Sequence, residues 1–235
     1  MILKTASKKA IVYSCRFFHY SKKPPALNGK SFSVFNDKKE WCGCIVYGSG
    51  GNPMIGSAYN LKHGQIIELV RMALNGKQES TSKALAISLR LIKKYCPTVK
   101  MIVSYADKGQ RHNGTIYQAT NWMYVDESES SSTEYYYNGK WQHSRTIGEL
   151  KRKKGLRTDL LKKRKASGKY KYLYPLNKDT RKEIEIIRKI MISYHLNLLI
   201  NHACVAAVKT KIPINEVIIT RIACQIFSIP IKSNS

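Results

Sequence analysis

The chain has 235 residues, with 41 Lys and Arg against 15 Asp and Glu, a formal charge of +26. So large an excess of one sign repels itself in the folded state, and a polyanion is its usual partner. Hydrophobic residues make up 43%, enough for a packed core in one or two domains, yet no run reaches the roughly 20 apolar residues of a membrane span. The first residues, Met1 to Lys9, lack the apolar stretch of a secretory leader. The expectation is therefore a cytoplasmic protein that works on nucleic acid, with no membrane partner; the plainer alternative is a merely basic soluble protein.

Residues 30–47 read as a hairpin. Phe32, Val34 and Phe35 lead into the turn cluster Asn36-Asp37-Lys38-Lys39, and Trp41 to Tyr47 returns as a strand. The six cysteines (Cys15, Cys42, Cys44, Cys96, Cys204, Cys224) show no CxxC pair, so free core thiols in a reducing compartment are expected. Regular strand geometry would put Cys42 and Cys44 on one face. After a Gly- and Asn-rich loop, Ile66 to Leu74 reads as a buried strand ending at Asn75-Gly76. Ser80-Thr81-Ser82 then starts a helix to about Tyr95, with Leu85, Leu89 and Ile92 on one face and Pro97 as its stop. A hydroxyl-rich helix start after a buried strand can cradle the pyrophosphate of a cofactor. The phosphate-loop string GxxxxGK[ST] is absent.

Val99 to Tyr105 is a second buried strand, with Asp107 just beyond it. A polar loop with His112, Asn113 and Gly114 leads to a short helix over Thr115 to Thr120, then a strand over Trp122 to Val125. A Ser- and Glu-rich loop follows. Glu134 to Tyr137 and Lys140 to Thr146 flank Asn138-Gly139, a strong two-residue hairpin signal. Composition changes after Leu150: Lys151 to Lys189 holds 16 Lys and Arg and four acids, with Tyr170, Tyr172 and Tyr174 interleaved among lysines. A helix is expected from Thr180 to Tyr194, and residues 195–235 turn apolar and β-branched. The chain thus divides into a first domain over 1–150, a basic DNA-contacting arm and helix over 151–194, and an apolar extension over 195–235.

Three segments then carry a resemblance: Phe18-His19-Tyr20; Glu68-Leu69-Val70-Arg71; and Ser104-Tyr105-Ala106-Asp107 with Gly114 to Trp122. Together they resemble the Mom family of phage DNA-modification proteins over roughly residues 15–180. The match includes Trp141 to Arg145 and Tyr172 to Leu176, and the run from Tyr105 to Trp122 is its most specific part. The resemblance implies an α+β, acetyltransferase-like (GNAT) fold: a mixed, mostly antiparallel sheet flanked by helices, here with a basic C-terminal arm. The order hairpin, strand, helix, strand, helix, hairpin is compatible with it. It also implies an activity, the acetyl-CoA-dependent conversion of adenine to N6-methylcarbamoyl adenine in double-stranded DNA, which shields phage DNA from restriction, and it implicates iron. The protein is then phage- or prophage-encoded and acts in the bacterial cytoplasm.

The resemblance also suggests roles. His19 is a metal ligand or base, and Tyr20 a proton donor or radical partner; Asp107, with His19 and His112, would complete a two-His-one-carboxylate iron site. The plainer reading of Asp107 is a turn-starting residue. Tyr117 would donate a proton to the leaving CoA thiolate or anchor the acetyl carbonyl, against the alternative of an amphipathic core Tyr. Arg71 would line the acyl arm, with Ser80, Ser82 and Lys83 at the pyrophosphate. The glycine-rich acetyltransferase pattern is missing there, and Glu79 would repel phosphate. Lys162, Lys163, Arg164 and Lys165 would hold DNA phosphates. Trp122, Tyr136 and Trp141 are candidates to stack on or wedge beside a flipped adenine, or else core packing. Two rivals stand beside this reading: a conventional acetyltransferase of an amine or protein, and a non-catalytic DNA-binding protein. The second lacks any helix-turn-helix or zinc-finger signature.

Overall fold

The computed structural model describes residues 1–50, 55–110, 113–128 and 132–189. In chain order the elements are β1 (Ile2–Thr5), α1 (Lys8–Phe18), β2 (Ser31–Phe35), β3 (Trp41–Gly48), β4 (Ile66–Leu74), α2 (Thr81–Tyr95), β5 (Met101–Asp107), α3 (Thr115–Gln118), β6 (Met123–Ser128), β7 (Thr133–Tyr137), β8 (Lys140–His143), α4 (Ser144–Lys154), β9 (Lys163–Lys165) and β10 (Lys169–Pro175). Seven strands form one sheet in the order β1-β2-β3-β4-β5-β10-β6, and three form a small sheet, β8-β7-β9. Every neighbouring pair is antiparallel except β4 and β5. The fold is therefore α+β with a mostly antiparallel sheet.

Two helices cover the large sheet on opposite faces. Along β3, Ile45 and Tyr47 join Ala84, Leu85, Leu89 and Ile92 of α2 in the main core, while Cys44 and Val46 pack with Ile11 and Cys15 of α1. This is the two-residue alternation of a strand buried on both faces. Ser7 caps α1 through the Ala10 amide and Ser80 caps α2 through the Lys83 amide, satisfying helix-start N–H groups that have no internal partner.

The parallel pair sets up the site. β4 has nine residues, but only Ile66, Ile67 and Glu68 pair with β5, opposite Met101, Ile102 and Val103. From Leu69 onward the two strands part. The register between β3 and β4 slips at this point, where Val46 faces Arg71 and Tyr47 faces Leu69. The extra residue is a bulge, and bulges bend and twist the strand that carries them.

Several expectations change. Cys42 and Cys44 do not share a face, because a bulge between Gly43 and Trp41 puts Cys42 in the α2 core and Cys44 in the α1 core. Cys15, Cys42, Cys44 and Cys96 are free thiols. The boundary at residue 150 falls inside α4, and the tyrosine-interleaved part of the arm is β10, laid between β5 and β6. Tyr172 and Leu173 are fully buried there: period-two alternation outweighs the basic composition. Residues 1–181 form one compact unit holding all the described strands. Helical backbone runs over 178–189; the rest of the helix expected to reach Tyr194, and the segment 195–235, lie outside the described residues. No helix among the described residues is long and apolar enough to cross a membrane.

Candidate active site

Where β4 and β5 part, a cavity of about 710 Å3 opens. Its walls are Glu68 to Met72 of β4, Ser80 to Ser82 at the start of α2, Ser104 to Asp107 of β5, Asn113 to Tyr117, and His19 and Tyr20 just after α1. Seven of the residues singled out in the sequence therefore meet in one place: His19, Tyr20, Arg71, Ser80, Ser82, Asp107 and Tyr117. Lys83 is outside it, on a separate cavity of about 410 Å3 that it shares with Arg90. His112 lies outside the described residues.

Asp107 ends β5 with its two carboxylate oxygens in different company. Oδ1 accepts the Gly109 amide at 2.9 Å and the Ser167 hydroxyl at 3.1 Å. Oδ2 faces the Tyr20 hydroxyl, which donates to it at 3.4 Å, well beyond the usual 2.7–2.8 Å for such a bond. Burial first, and then the Asp107 charge, raise the Tyr20 pKa above the ordinary phenol value. Tyr20 is thus a neutral phenol that keeps its proton beside an acceptor.

His19 is buried and its ring lies against Tyr20, with centroids 4.3 Å apart. Its Nδ1 accepts the Ser21 backbone N–H at 3.1 Å and sits 2.9 Å from the Ser21 hydroxyl. A ring nitrogen that accepts a backbone N–H carries no proton, so the proton is assigned to Nε2. In that tautomer His19 offers the cavity a donor, and neither a base nor a metal-ligating lone pair.

Tyr117 is buried, stacked on Tyr172 at 4.7 Å and edge-on to Trp122 at 5.1 Å. The Ser104 hydroxyl donates to the Leu69 carbonyl at 3.0 Å, so the Tyr117 hydroxyl, 2.9 Å away, donates to Ser104. This chain of bonds ties β5 to β4 at the first residue beyond their paired segment. Burial raises the Tyr117 pKa, and its phenol stays protonated.

At the other end of the cavity, Ser80 accepts the Lys83 amide and lies 3.0 Å from the Ser82 hydroxyl, while Gln78 donates to Thr81. With the Lys83 and Ala84 amides bonded to Ser80, the Thr81 and Ser82 amides remain as the first-turn donors that a helix start offers an anion. Glu79 does not line the cavity; its carboxylate accepts the Asp37 amide in the β2–β3 turn, which removes the expected repulsion. Arg71 donates through Nη1 to the Val70 carbonyl, and its Nε is buried with no hydrogen-bond partner among the described residues. A buried orphan donor, a helix start and a narrow gap suit an anionic acyl carrier such as acetyl-CoA. They do not make an iron site. Among the described residues no three His, Cys, Asp or Glu side chains cluster as ligands, His19 Nε2 holds a proton, and both Asp107 oxygens have donors.

The remaining candidates sit elsewhere. Trp122 is buried against Tyr117 and Tyr174 and is a core residue. Tyr136 and Trp141 pair edge-to-face on the small sheet, with the Arg164 guanidinium 4.4 Å from the Trp141 ring. Lys162, Lys163, Arg164 and Lys165 are exposed, the last three as the edge strand β9, and Arg164 also pairs with Glu134 at 2.8 Å. Sequence reasoning misses Ser104, Tyr105 and Ser167. A Ser inside an otherwise apolar strand is the available signal for Ser104; nothing local marks Ser167.

The arrangement is of the acetyltransferase-like class, a mostly antiparallel sheet whose one parallel pair splays around a cavity. Similar solved folds include a spermidine N-acetyltransferase chimera from Vibrio cholerae, at 6% identity and TM-score 0.47, covering 78% of this chain and 99% of that one. Another is a GNAT family acetyltransferase from Elizabethkingia anophelis with acetyl-CoA bound, at 9% identity and TM-score 0.42, covering 74% and 97%. The model of the Mom protein family matches residues 1–193. The methylcarbamoylase Mom of Escherichia phage Mu is 30% identical over 175 residues, 71% of each chain. The chain belongs to the Mom protein family.

Proposed function

We propose that this protein is a DNA-modifying transferase that uses acetyl-CoA to convert adenine in duplex DNA to N6-methylcarbamoyl adenine, an adduct that protects phage DNA from restriction. The observation that carries the reading is the single cavity joining an anion-binding helix start and Arg71 to Asp107 and Tyr20. Kinship with a protein named methylcarbamoylase supports the product, and the +26 charge supports the polyanionic substrate.

When bound, acetyl-CoA supplies an acyl carbon activated as a thioester. The Thr81 and Ser82 amides and Arg71 bind the carrier's anionic portion. The adenine N6 amine is a poor nucleophile because its lone pair is delocalised into the ring, so a base must take its proton as it attacks. Asp107 Oδ2, held only loosely by Tyr20, is that acceptor. Tyr117 holds the proton needed by the departing thiolate; redirecting it from Ser104 costs about one ordinary hydrogen bond, ~1 kcal/mol. His19 Nε2–H donates to the substrate. The adenine must leave the base stack to reach Asp107, at a cost of a few kcal/mol. Acyl transfer alone gives an N-acetyl adduct; the methylcarbamoyl product carries a further nitrogen between carbonyl and methyl, which acetyl transfer does not supply.

The test is expression in bacterial cells, digestion of their DNA to nucleosides and mass spectrometry. The expected result is a methylcarbamoyl adduct on deoxyadenosine, reduced about 10²–10⁴-fold in Asp107→Asn, the usual span for a lost general base, with unchanged thermal stability. Unmodified DNA overturns the reading, and acetylated polyamine or protein in its place points to a conventional acetyltransferase.

A further inference from the structure

We infer that Ser167 is a positioning residue that sets which oxygen of Asp107 faces the reacting centre. The inference rests on the reading of Asp107 as the base. An aspartate side chain turns readily about its last torsion, where the preference is broad and two-fold. Left alone, the carboxylate of Asp107 would present either oxygen to Tyr20. Two donors prevent this by gripping the same oxygen: the Gly109 amide at 2.9 Å and the Ser167 hydroxyl at 3.1 Å, both on Oδ1. Oδ2 is thereby left toward Tyr20, at the long 3.4 Å contact that gives way to a substrate amine.

Ser167 comes from a part of the chain 60 residues away, and its own surroundings show what it is for. It is exposed, so its hydroxyl is not paired to offset burial. Among the described residues its only hydrogen bond is the one to Asp107. The chain on either side is pinned: Ala166 donates its amide to the Ser132 carbonyl at 2.9 Å, and Gly168 accepts the Lys108 amide at 3.2 Å. The serine therefore reaches Asp107 from a fixed backbone. Gly109 keeps the approach open, since a Cβ there would lie 2.5 Å from the Ser167 hydroxyl and 3.2 Å from Asp107 Oδ1. Ser167 also lies two residues beyond β9, so the strand expected to grip phosphates ends next to the residue that orients the base.

The experiment measures kcat, and KM for both acetyl-CoA and duplex DNA, with purified full-length protein carrying Ser167→Ala, Ser167→Thr, Asp107→Asn or the Ser167→Ala/Asp107→Asn pair. Ser167→Ala should lower kcat about tenfold, the loss of one hydrogen bond to a charged group, with both KM values within twofold and an unchanged melting temperature. Ser167→Thr, which keeps the hydroxyl, should recover most of the rate. The double variant should be no slower than Asp107→Asn alone, because residues acting through one group are not additive. Gly109→Ala, which displaces the serine hydroxyl without removing it, should mimic Ser167→Ala. A normal kcat in Ser167→Ala beside an inactive Asp107→Asn overturns the inference and leaves the role of Asp107 standing. A further, multiplicative loss in the double variant overturns it as well. Full activity in Asp107→Asn removes the base, and this inference falls with it.

Discussion

Asp107 and Tyr20, 87 positions apart in the chain, show how much of this site depends on a few polar atoms held in apolar surroundings. Family resemblance points to both residues, and the chain path brings them together. What the sequence does not show is their support: Ser104 under Tyr117 and Ser167 under Asp107 are non-local hydrogen bonds, and a serine carries no periodic signal that would mark its partner. The same surroundings have a consequence for pH. Burial lifts Tyr105 to about 12, chiefly by desolvation with Glu68 and Tyr59 adding, and lifts Tyr124 to about 12, with Glu127 and Asp126 adding. Above pH 10 the unfolded chain releases these protons while the folded chain keeps them. Their contribution to stability is therefore full below pH 10 and is lost as pH rises toward 12. Circular dichroism across an alkaline titration should show unfolding in that window, with Tyr124→Phe moving the midpoint upward. A midpoint unmoved by that substitution would contradict the assignment.

Among the elements, β4, α2, β5 and the β7–β8 hairpin are legible in the sequence because their apolar spacing and turn residues agree. The N-terminal helix α1 is not, although Ser7 caps it and Ile11, Ser14 and Cys15 bury one face; its small and polar buried residues weaken the hydrophobic stripe. β10 reads as part of an arm because lysines mask its strand alternation. The parting of β4 and β5 is invisible, since it comes from a bulge in register with β3. The α3 turn gives a sharp test at this scale. Gly114 begins it at φ +73, and a Cβ there would lie 1.9 Å from the Tyr172 hydroxyl oxygen. Gly114→Ala combines a left-handed backbone with a collision against the ring stacked on Tyr117. A loss of about 1–3 kcal/mol is expected, read by urea denaturation, together with slower modification. Wild-type stability would mean that Tyr172 can move aside freely.

For the molecule as a whole, the basic charge is carried by structure on both sides of the expected boundary. Lys151, Arg152, Lys153 and Lys154 fill the last turn of α4, where a helix C-terminus favours cations, and Lys163 to Lys165 form the edge of the small sheet. Arg164 is engaged by Glu134 and Trp141, and removing it would also unsettle that sheet, so the lysines give the cleaner test. Replacing Lys162, Lys163 and Lys165 by alanine should weaken binding of any duplex to a similar degree. It should also lower the slope of log affinity against log salt by about 0.9 for each phosphate that is no longer neutralised, measured by fluorescence anisotropy. An unchanged slope would place the DNA on another face.

The parting of β4 from β5 beyond Glu68 also bears on which acyl donors the cavity tolerates. Two strands that separate leave main-chain N–H and C=O groups without a ladder partner, and such groups are costly to strip of water unless something replaces it. A donor whose arm carries amides can replace that water group for group. A fatty thioester with an all-hydrocarbon arm cannot, and would have to dehydrate the strand edges for nothing in return. The gap therefore discriminates by the polarity of the carrier's arm, before any side chain in the cavity has met the acyl group itself.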